Sequence, residues 1–401
     1  MKLAQILCFR KHQHNTSQDV LAAASDNNYL YHPDAQSTIP PMFASFSSHT
    51  NTVSNSIDVT TIIQGLQSNC LARWSLTQSI HDSRDKIVAA MDGNTSLRDL
   101  YIGADCFANE ANDLGTFLHT AAQKLRGLQS VAIGACAYNN STAVYGTSIA
   151  ALVQAAPQLQ ILRMERNLLV RSLDEARTMS RMDHHPALKR VSLPSLHPTS
   201  SESCSLDPLL QSLGTTMPTL ESLQLGLSDE SFGWHTDVCS VDAVRQLGTL
   251  PRLSWLVLTR LQLTDAHVQA LCSAIGGENN DSGNNSSKSP LRTLEIHKTR
   301  RVTKVAWQAL LQLVQTHVHL ETVVDMYCKA DAHDIREQVM VYLKLNRQGR
   351  RQALREASNI DDWIRVVHKH FIDDPAALQV LVRDSPWICL RRPRLTTTPV
   401  E

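Results

Sequence analysis

Histidine and cysteine are the side chains in this sequence that could bind a metal ion or serve as a base and a nucleophile. The chain contains 17 histidines, and three close pairs stand out: His12 and His14, His184 and His185, and His317 and His319. A zinc site would add two cysteines or carboxylates at ligand spacing, and none accompanies these pairs. The sequence therefore predicts ordinary surface imidazoles rather than a metal site.

A candidate base and nucleophile are His235 and Cys239, which lie four residues apart ahead of a predicted helix. Such a pair must be in close, oriented contact, and spacing alone does not provide that. The nine cysteines are scattered and never spaced Cys-x-x-Cys, so neither a disulfide framework nor a zinc cluster is indicated. No Gly-rich phosphate loop, metalloprotease motif or serine-hydrolase motif occurs. These observations predict that the protein is not an enzyme and binds no cofactor.

A leucine pattern organises the rest of the chain. Leu-x-x-(large apolar)-x-(large apolar) returns nine times, beginning at Leu71, Leu97, Leu128, Leu159, Leu188, Leu220, Leu253, Leu291 and Leu320. Between the copies, apolar residues follow the i, i+3, i+4, i+7 spacing of an amphipathic helix, as from Leu114 to Ala121. A period of about 30 residues with this content predicts a repeat protein whose unit is strand, turn and helix.

Stacked units of this kind bury the apolar faces that a single unit leaves open. Stacking would place successive strands about 4.7 Å apart in one parallel sheet and lay every helix on the same side of it. Because strands pack more closely than helices, we expect the array to curve. The predicted fold class is α/β: a solenoid, or horseshoe, with the parallel sheet on the concave face, helices on the convex face and a helical C-terminal cap.

These units resemble the leucine-rich repeat family, and specifically its long ribonuclease-inhibitor-like type, which has a helix in each unit. That type places a small polar residue eight positions after the first leucine. Seven of the nine positions here are small or polar: Ser79, Asp105, Cys136, Asn167, Ser228, Thr299 and Cys328. Leu196 and Leu261 depart from the pattern. The resemblance covers residues 56 to 330.

The remaining segments differ from the repeats in composition. Residues 1–55 are rich in Ser, Thr, Asn and His, which predicts a disordered N-terminal segment. A polar, glycine-rich stretch at 277–289 is predicted to be a loop insertion within the repeat domain of residues 56–330. Residues 331–390 are predicted to form the helical cap, and residues 391–401 a flexible tail.

A stretch within the predicted cap has its own resemblance. The run from Tyr342 to Ala357, YLKLNRQGRRQALREA, is similar to the segment that ends many leucine-rich repeat proteins of diatoms and related algae, and this likeness implies no activity. The run contains a basic cluster of Arg347, Arg350, Arg351 and Arg355. The cluster has two interpretations: a solvated helix face, which we favour, or a patch for phosphate or an acidic partner.

Charge and hydropathy limit the classes of partner. The chain has 38 basic and 38 acidic residues, so it lacks the basic excess of nucleic-acid-binding proteins. No stretch approaches 18 apolar residues, so no transmembrane helix is predicted. The N-terminus does not have the pattern of a signal peptide. We expect a monomer in the cytoplasm, or alternatively in the nucleus, with a protein partner that the sequence does not identify.

The candidate binding residues follow from the strand register. Side chains that flank the middle apolar residue of each strand alternate away from the core, towards the concave face. The predicted contact residues are Trp255, Tyr101, Arg163, Glu165, Arg190, Gln224, Glu295 and His297. Trp255 is the preferred anchor, because tryptophan supplies a large contact area at low entropy cost. The alternative is that Trp255 is an ordinary aromatic residue packed on its strand neighbours.

The sequence supports two hypotheses of function. The first is a non-enzymatic scaffold that binds another protein on the concave sheet face and the loops after its strands, since a rigid array need not be ordered on binding. The second is a regulator of a small GTPase, an activity that some proteins of this fold have. Such a regulator needs a polar side chain on a strand-end loop, for which Arg166 and Asn167 are candidates. This second hypothesis rests on fold analogy.

Overall fold

The structure of the protein is a computed structural model. It describes residues 59–76, 80–107, 111–134, 144–164, 168–170, 185–193, 196–198, 207–226, 239–259, 261–277, 289–297, 302–324, 330–357, 360–371 and 373–384. The predicted N-terminal segment 1–55, the tail 391–401 and most of the loop insertion at 277–289 lie outside the described residues.

The strands of the described residues pair in parallel throughout. In chain order they are β1 Arg73–Leu76, β2 Asp99–Ile102, β3 Ser130–Ile133, β4 Val144–Tyr145, β5 Ile161–Met164, β6 Leu168–Val170, β7 Arg190–Leu193, β8 Leu196–Pro198, β9 Ser222–Leu225, β10 Trp255–Thr259, β11 Thr293–His297 and β12 Thr322–Val324. Strands β4, β6 and β8 form a short second sheet. The other nine form one long sheet whose order follows the chain, as stacking of successive units requires.

A helix follows most strands of the long sheet. In chain order the α-helices are α1 Val59–Gln67, α2 Arg84–Ala90, α3 Ala111–Lys124, α4 Gly146–Ala155, α5 Asp207–Thr216, α6 Val241–Gly248, α7 Asp265–Gly276, α8 Lys304–Thr316, α9 His333–Arg347, α10 Arg350–Glu356, α11 Ile360–Phe371 and α12 Pro375–Asp384. Short 3-10 turns occupy His81–Ser83, Ala104–Phe107 and Ala330–Ala332. Helix α1 lies before the first strand, and helices α9 to α12 follow the last strand.

The predicted strand register is confirmed. The middle apolar residues of the nine strands lie side by side and are all buried: Trp74, Leu100, Val131, Leu162, Val191, Leu223, Leu256, Leu294 and Val323. They share one continuous apolar core with the buried faces of the helices. The long parallel sheet and its helices therefore make the protein an α/β solenoid of the leucine-rich repeat kind, as predicted.

Hydrogen bonds between helix starts tie neighbouring units together. Asp207, in the first turn of α5, accepts a 2.6 Å hydrogen bond from the backbone N–H of Ser240, the N-cap of α6. Asp265, the first residue of α7, accepts bonds of 2.7 and 2.6 Å from the N–H and hydroxyl of Thr303, the N-cap of α8. A carboxylate near a helix N-terminus is also favoured by the helix dipole. Each of these aspartates thus stabilises the start of its own helix and the next one.

The second sheet is a feature that the sequence analysis missed. Leu168 in β6 pairs with Val144 in β4 and with Leu196 in β8, so the sheet spans three consecutive units. Strands of two or three residues are too short to show the alternation by which a strand is recognised in a sequence. They pair because the long sheet has already placed equivalent segments of neighbouring units side by side.

Gly226 and Gly277 form a matched pair for a stability prediction. Both have φ of +76°, but a Cβ added at Gly226 would lie 1.9 Å from the Thr259 carbonyl oxygen, whereas one at Gly277 would meet nothing within 4 Å. Left-handed backbone costs an alanine about 1–2 kcal/mol at either site. Overlap with the backbone adds about 1–3 kcal/mol at Gly226 alone. We expect Gly226→Ala to unfold at clearly lower urea concentration than Gly277→Ala; coincident curves would contradict the close approach of the two chain segments.

Candidate functional site

The solvent face of the long sheet is the surface formed by the side chains that alternate with the buried row. Strand pairing arranges most of these side chains in two rows. The first row is Arg73, Asp99, Ser130, Ile161, Arg190, Ser222, Trp255, Thr293 and Thr322. The second row is Ser75, Tyr101, Ala132, Arg163, Ser192, Gln224, Val257 and Glu295. His297 and Thr259 extend this face by one further position on two strands.

Side-chain size decides how much of the solvent face water reaches. The predicted contact residues Tyr101, Arg163, Arg190, Gln224 and Trp255 are all half-buried. The small residues between them are fully buried: Ser130, Ala132, Ser192 and Ser222 are 2, 2, 1 and 6% exposed. The face therefore consists of small side chains enclosed by large neighbours, and a partner would meet the large side chains first.

Tyr101 lies against the end of the adjacent strand. A Cβ added at Gly134, directly after β3, would lie 2.5 Å from the Tyr101 hydroxyl oxygen and 3.1 Å from its ring. The absence of a side chain at position 134 therefore makes room for the phenol. This contact positions Tyr101 across the second row, on the same face as the other candidates.

The charges at the two ends of the solvent face are paired. Near its start, Arg73 and Asp99 form a 2.9 Å salt bridge between adjacent strands. Towards its end, His297 Nε2 lies 3.0 Å from the Glu295 carboxylate, and these side chains are only 20 and 16% exposed. Glu295 and His297, both predicted as partner contacts, thus bind each other in this structure.

The centre of the solvent face carries two arginines. Arg163 pairs in register with Ala132 and Ser192, and Arg190 pairs with Ile161 and Ser222. The two arginines therefore lie diagonally on adjacent strands. Among the described residues, no carboxylate lies within ion-pair distance of Arg190.

Trp255 stands between Ser222 and Thr293 in the first row. Its half-buried state is compatible with a binding anchor and with an aromatic residue packed on its neighbours, so both interpretations remain. The predicted contact residue Glu165 lies outside the described residues, as do the GTPase-regulator candidates Arg166 and Asn167.

Two of the histidines considered as metal ligands are structural instead. His185 Nε2 and His317 Nε2 each lie 2.8 Å from a backbone carbonyl oxygen of the preceding unit, at Ala156 and Ser289. Both imidazoles are buried, so the prediction of surface imidazoles is wrong for them. His319, in contrast, is exposed as predicted. His12, His14, His184 and His235 lie outside the described residues.

In other units, asparagines form hydrogen bonds equivalent to those of these histidines. Asn94 stands three residues before the first leucine of its unit, like His185 and His317, and its Nδ2 donates to the Leu66 carbonyl at 2.6 Å. Asn346 donates to the carbonyls of His317 and Leu320. The shared position of Asn94, His185 and His317 in their units is a sequence signal for a buried polar residue, although it does not identify the acceptor.

Cys239 also takes part in a hydrogen bond between neighbouring units. Its side chain is buried, and its carbonyl lies 2.9 Å from Nε2 of His267. His267 Nδ1 accepts the backbone N–H of Thr264 at 3.1 Å, so the ring proton is on Nε2 and donates to the Cys239 carbonyl. His267 thus links the start of α7 to the unit before it.

The pH dependence of stability should report the burial of His185. Burial lowers the pKa of its imidazole below the ordinary 6.5, and the hydrogen bond with Ala156 opposes part of that shift. The unfolded chain therefore takes up a proton more readily than the folded chain. The stabilisation from the neutral ring is complete above about pH 6.5 and is lost as the pH falls through the lowered pKa of the folded state.

The matched variant is His185→Asn, because asparagine at positions 94 and 346 makes the equivalent backbone bonds. Urea unfolding from about pH 7.5 to pH 5.5 should show a smaller loss of stability for this variant than for the wild type. Identical slopes would mean that His185 is not held neutral by burial.

Two of the four arginines in the basic cluster near the C-terminus are structural. Arg347 is exposed, as the favoured interpretation predicts, and the side chain of Arg355 lies outside the described part of the structure. Arg350 Nη1 lies 3.1 Å from an Asp374 carboxylate oxygen, which joins α10 to the turn before α12. Arg351 is 6% exposed and donates to the carbonyls of Val314 and Gln315 at the end of α8. For these two arginines, both sequence-based interpretations are wrong, since neither a solvated helix face nor a free anion patch describes them.

Other kinds of site find no support in the described part of the chain. No helix there is long and apolar enough to cross a membrane. No three His, Cys, Asp or Glu side chains of the described residues come together as metal ligands would.

Comparisons with known proteins add little to this description. No protein-family model and no curated protein matches the sequence. Among solved structures, the chain is similar to one in the crystal structure of the Rad7 and Elc1 complex in yeast, with 15% identity over 84% of this chain and 79% of that chain and a TM-score of 0.35. At that level the similarity says nothing about function, and the assignment to a leucine-rich-repeat-like solenoid rests on the repeats and the sheet of this protein.

Proposed function

We propose that this protein is a non-enzymatic scaffold that binds another protein on the solvent face of the long sheet and the loops that follow its strands. The observation that carries the proposal is the register of nine strands, which places half-buried Arg, Tyr, Gln and Trp side chains in continuous rows. These are residue types that contribute strongly to protein interfaces, Trp, Tyr and Arg above all. Because the core beneath holds the strands in place, binding need not order the surface.

The size of the face supports the inclusion of the strand-end loops. Nine strands at about 4.8 Å spacing extend about 38 Å, and four residues, the length of most of these strands, span about 10 Å, a flat footprint of about 380 Å². A standard interface buries about 800 Å² on each partner. A partner of standard size must therefore extend beyond the sheet, and the loops after the strands are the adjoining surface.

The experiment is a quantitative pull-down from the source cells with three forms of the protein. The face variant carries Trp255→Ala and Arg163→Ala, and the control carries Gln308→Ala and Gln312→Ala on exposed positions of α8. We expect a specific partner to be recovered with the wild type and the control and to be reduced at least about ten-fold with the face variant, since loss of two hot-spot side chains costs more than about 1.4 kcal/mol. Equal recovery with all three forms would contradict the proposal, and loss with the control alone would place binding on the helices.

Regulation of a small GTPase is the alternative. Its candidate residues Arg166 and Asn167 lie outside the described residues, and no contact in the structure favours it. The scaffold proposal predicts that GTP hydrolysis by a panel of small GTPases is unchanged when the protein is added. Acceleration of any one of them that Asn167→Ala abolishes would replace the scaffold by the regulator.

Two finer assignments belong with the proposal. The helix that follows most strands supports the long, ribonuclease-inhibitor-like type of unit, and the run from Tyr342 to Ala357 supports a relationship to the diatom proteins that it resembles. We further propose a monomer that acts inside the cell. Fluorescent tagging in the source cell and sedimentation of the purified protein test these two points.

A further inference from the structure

Three residues in the first row of the solvent face, Arg190, Ser222 and Trp255, form a slot across β7, β9 and β10. Ser222 pairs in register with Arg190 on one side and Trp255 on the other. Two strand spacings separate the larger residues, which places their Cα atoms about 9.6 Å apart. The slot therefore has a cationic wall, an aromatic wall and a small polar floor.

The floor of the slot has an unsatisfied group. Ser222 is 6% exposed, and its hydroxyl has no hydrogen-bond partner among the described residues. The hydroxyl oxygen is itself covered by its neighbours, so an acceptor reaches it only when the larger side chains beside it move apart. The bond then formed relieves the cost of the unpaired group. Neighbouring Ser192, by contrast, donates to the side chain of Gln224 at 3.3 Å.

The charge of the slot is also unbalanced. The acidic side chains described on the solvent face already have partners: Asp99 contacts Arg73, and Glu295 contacts His297. Arg190 has no carboxylate within ion-pair distance among the described residues, and it is only half-buried. A half-buried guanidinium presents a fork of donors that matches the two oxygens of a carboxylate.

We propose that this slot binds an acidic side chain, Asp or Glu, of a protein partner, with a large apolar residue of the same segment packed on Trp255. In the bound state the Arg190 and Trp255 side chains have moved apart, and the Arg190 guanidinium and the Ser222 hydroxyl both donate to the carboxylate. This inference rests on the proposed function and specifies the chemistry of the partner.

A carboxylate fits the slot better than a nucleic-acid phosphate. Polyphosphate chains are bound by several cations along a track, whereas this slot offers one arginine and one tryptophan, and the chain has equal numbers of acidic and basic residues. Tryptophan beside an arginine is instead a frequent composition of protein-binding hot spots.

The test uses a displayed library of random 15-residue peptides selected on the immobilised wild-type protein. Enriched peptides are synthesised, and their affinities are measured by fluorescence anisotropy for the wild type, Arg190→Gln, Ser222→Ala and a control, Arg252→Gln. Arg252 is exposed in the turn before β10, so its replacement removes the same charge away from the slot. Thermal melts show that each variant is folded.

We expect the enriched peptides to share Asp or Glu close to a large apolar residue. Their affinity should fall about ten-fold or more with Arg190→Gln, fall less with Ser222→Ala and stay unchanged with Arg252→Gln. Changing the peptide acid to its amide should weaken binding to the wild type but hardly alter binding to Arg190→Gln, because both changes remove the same interaction.

The other outcomes separate this inference from the proposed function. Some peptides could bind Arg190→Gln as tightly as the wild type but bind the Trp255→Ala, Arg163→Ala variant more weakly. That result would contradict the proposal that the slot binds an acidic side chain, but it would agree with the proposed scaffold function. Peptides that bind that variant as well as the wild type would count against both. Failure to enrich any peptide, or Arg190-dependent binding of a labelled dT20 oligonucleotide in place of peptides, would overturn the carboxylate assignment.

Discussion

Replacing Leu223 with alanine is expected to lower the free energy of unfolding by about 2–5 kcal/mol. Leu223 is fully buried in β9 and lies between Val191 and Leu256 in the row of middle apolar residues. Truncation removes one methine and two methyl carbons from the core and leaves a cavity, because strands on both sides hold the backbone in place. Leu162→Ala, at the equivalent position of β5, should have a similar effect.

The control is the next residue along the same strand. Gln224 lies on the solvent face, and its described contact is the 3.3 Å hydrogen bond from Ser192. Gln224→Ala removes the acceptor of the buried Ser192 hydroxyl, a long bond, so it should cost about 1 kcal/mol, clearly less than Leu223→Ala. Urea unfolding followed by circular dichroism measures both variants. A Leu223→Ala curve that coincides with the Gln224→Ala curve would show that the strand register described above is wrong.

The second large effect is expected for Arg351→Met. The buried guanidinium donates to the carbonyls of Val314 and Gln315, in the last turn of α8, and to Asn346 Oδ1 at 2.9 Å. It also stacks 4.9 Å from the centre of the Tyr342 ring. A cation at the end of a helix is favoured by the helix dipole as well as by these bonds.

Methionine keeps much of the volume of arginine but leaves three acceptors without a donor. Each buried acceptor left unpaired costs about 1–3 kcal/mol. The bonds to the Val314 carbonyl and Asn346 Oδ1 are buried, so the loss should be at least about 2 kcal/mol. Arg347→Met is the control, because Arg347 belongs to the same sequence cluster but is exposed, with one 3.3 Å bond to the Glu321 carbonyl. We expect that control to stay within about 0.5 kcal/mol of the wild type. Equal stability of the two variants would mean that the C-terminal helices are not anchored to α8 through Arg351.

The candidate site was predictable in part. Alternation along each strand placed Tyr101, Arg163, Arg190, Gln224 and Trp255 on the solvent face, because side chains of a strand point to opposite sides in turn. Alternation does not say which of these side chains are already paired. Glu295 and His297 are two residues apart on one strand, so a pattern that sorts residues by face treats them as equivalent, yet they bind each other.

The short second sheet and the inter-unit hydrogen bonds were not predicted for a related reason. Asn94, His185 and His317 bond to carbonyls 28 or 29 residues earlier in the chain. The local sequence around a polar residue does not indicate which backbone carbonyl, that far away in the chain, it will bind. The same holds for Asp265 and Thr303, which are 38 residues apart.

The amino-acid sequence alone determined the solenoid, its nine core strands and their order. Each strand and each helix buries one apolar face, so apolar residues recur with a regular period that is visible in a single sequence. Only the tertiary structure decided which polar groups meet across units, which ionisable side chains on the solvent face have polar partners, and that Arg351 is a buried helix cap. Those contacts depend on distances between units after stacking, and no periodic pattern records them.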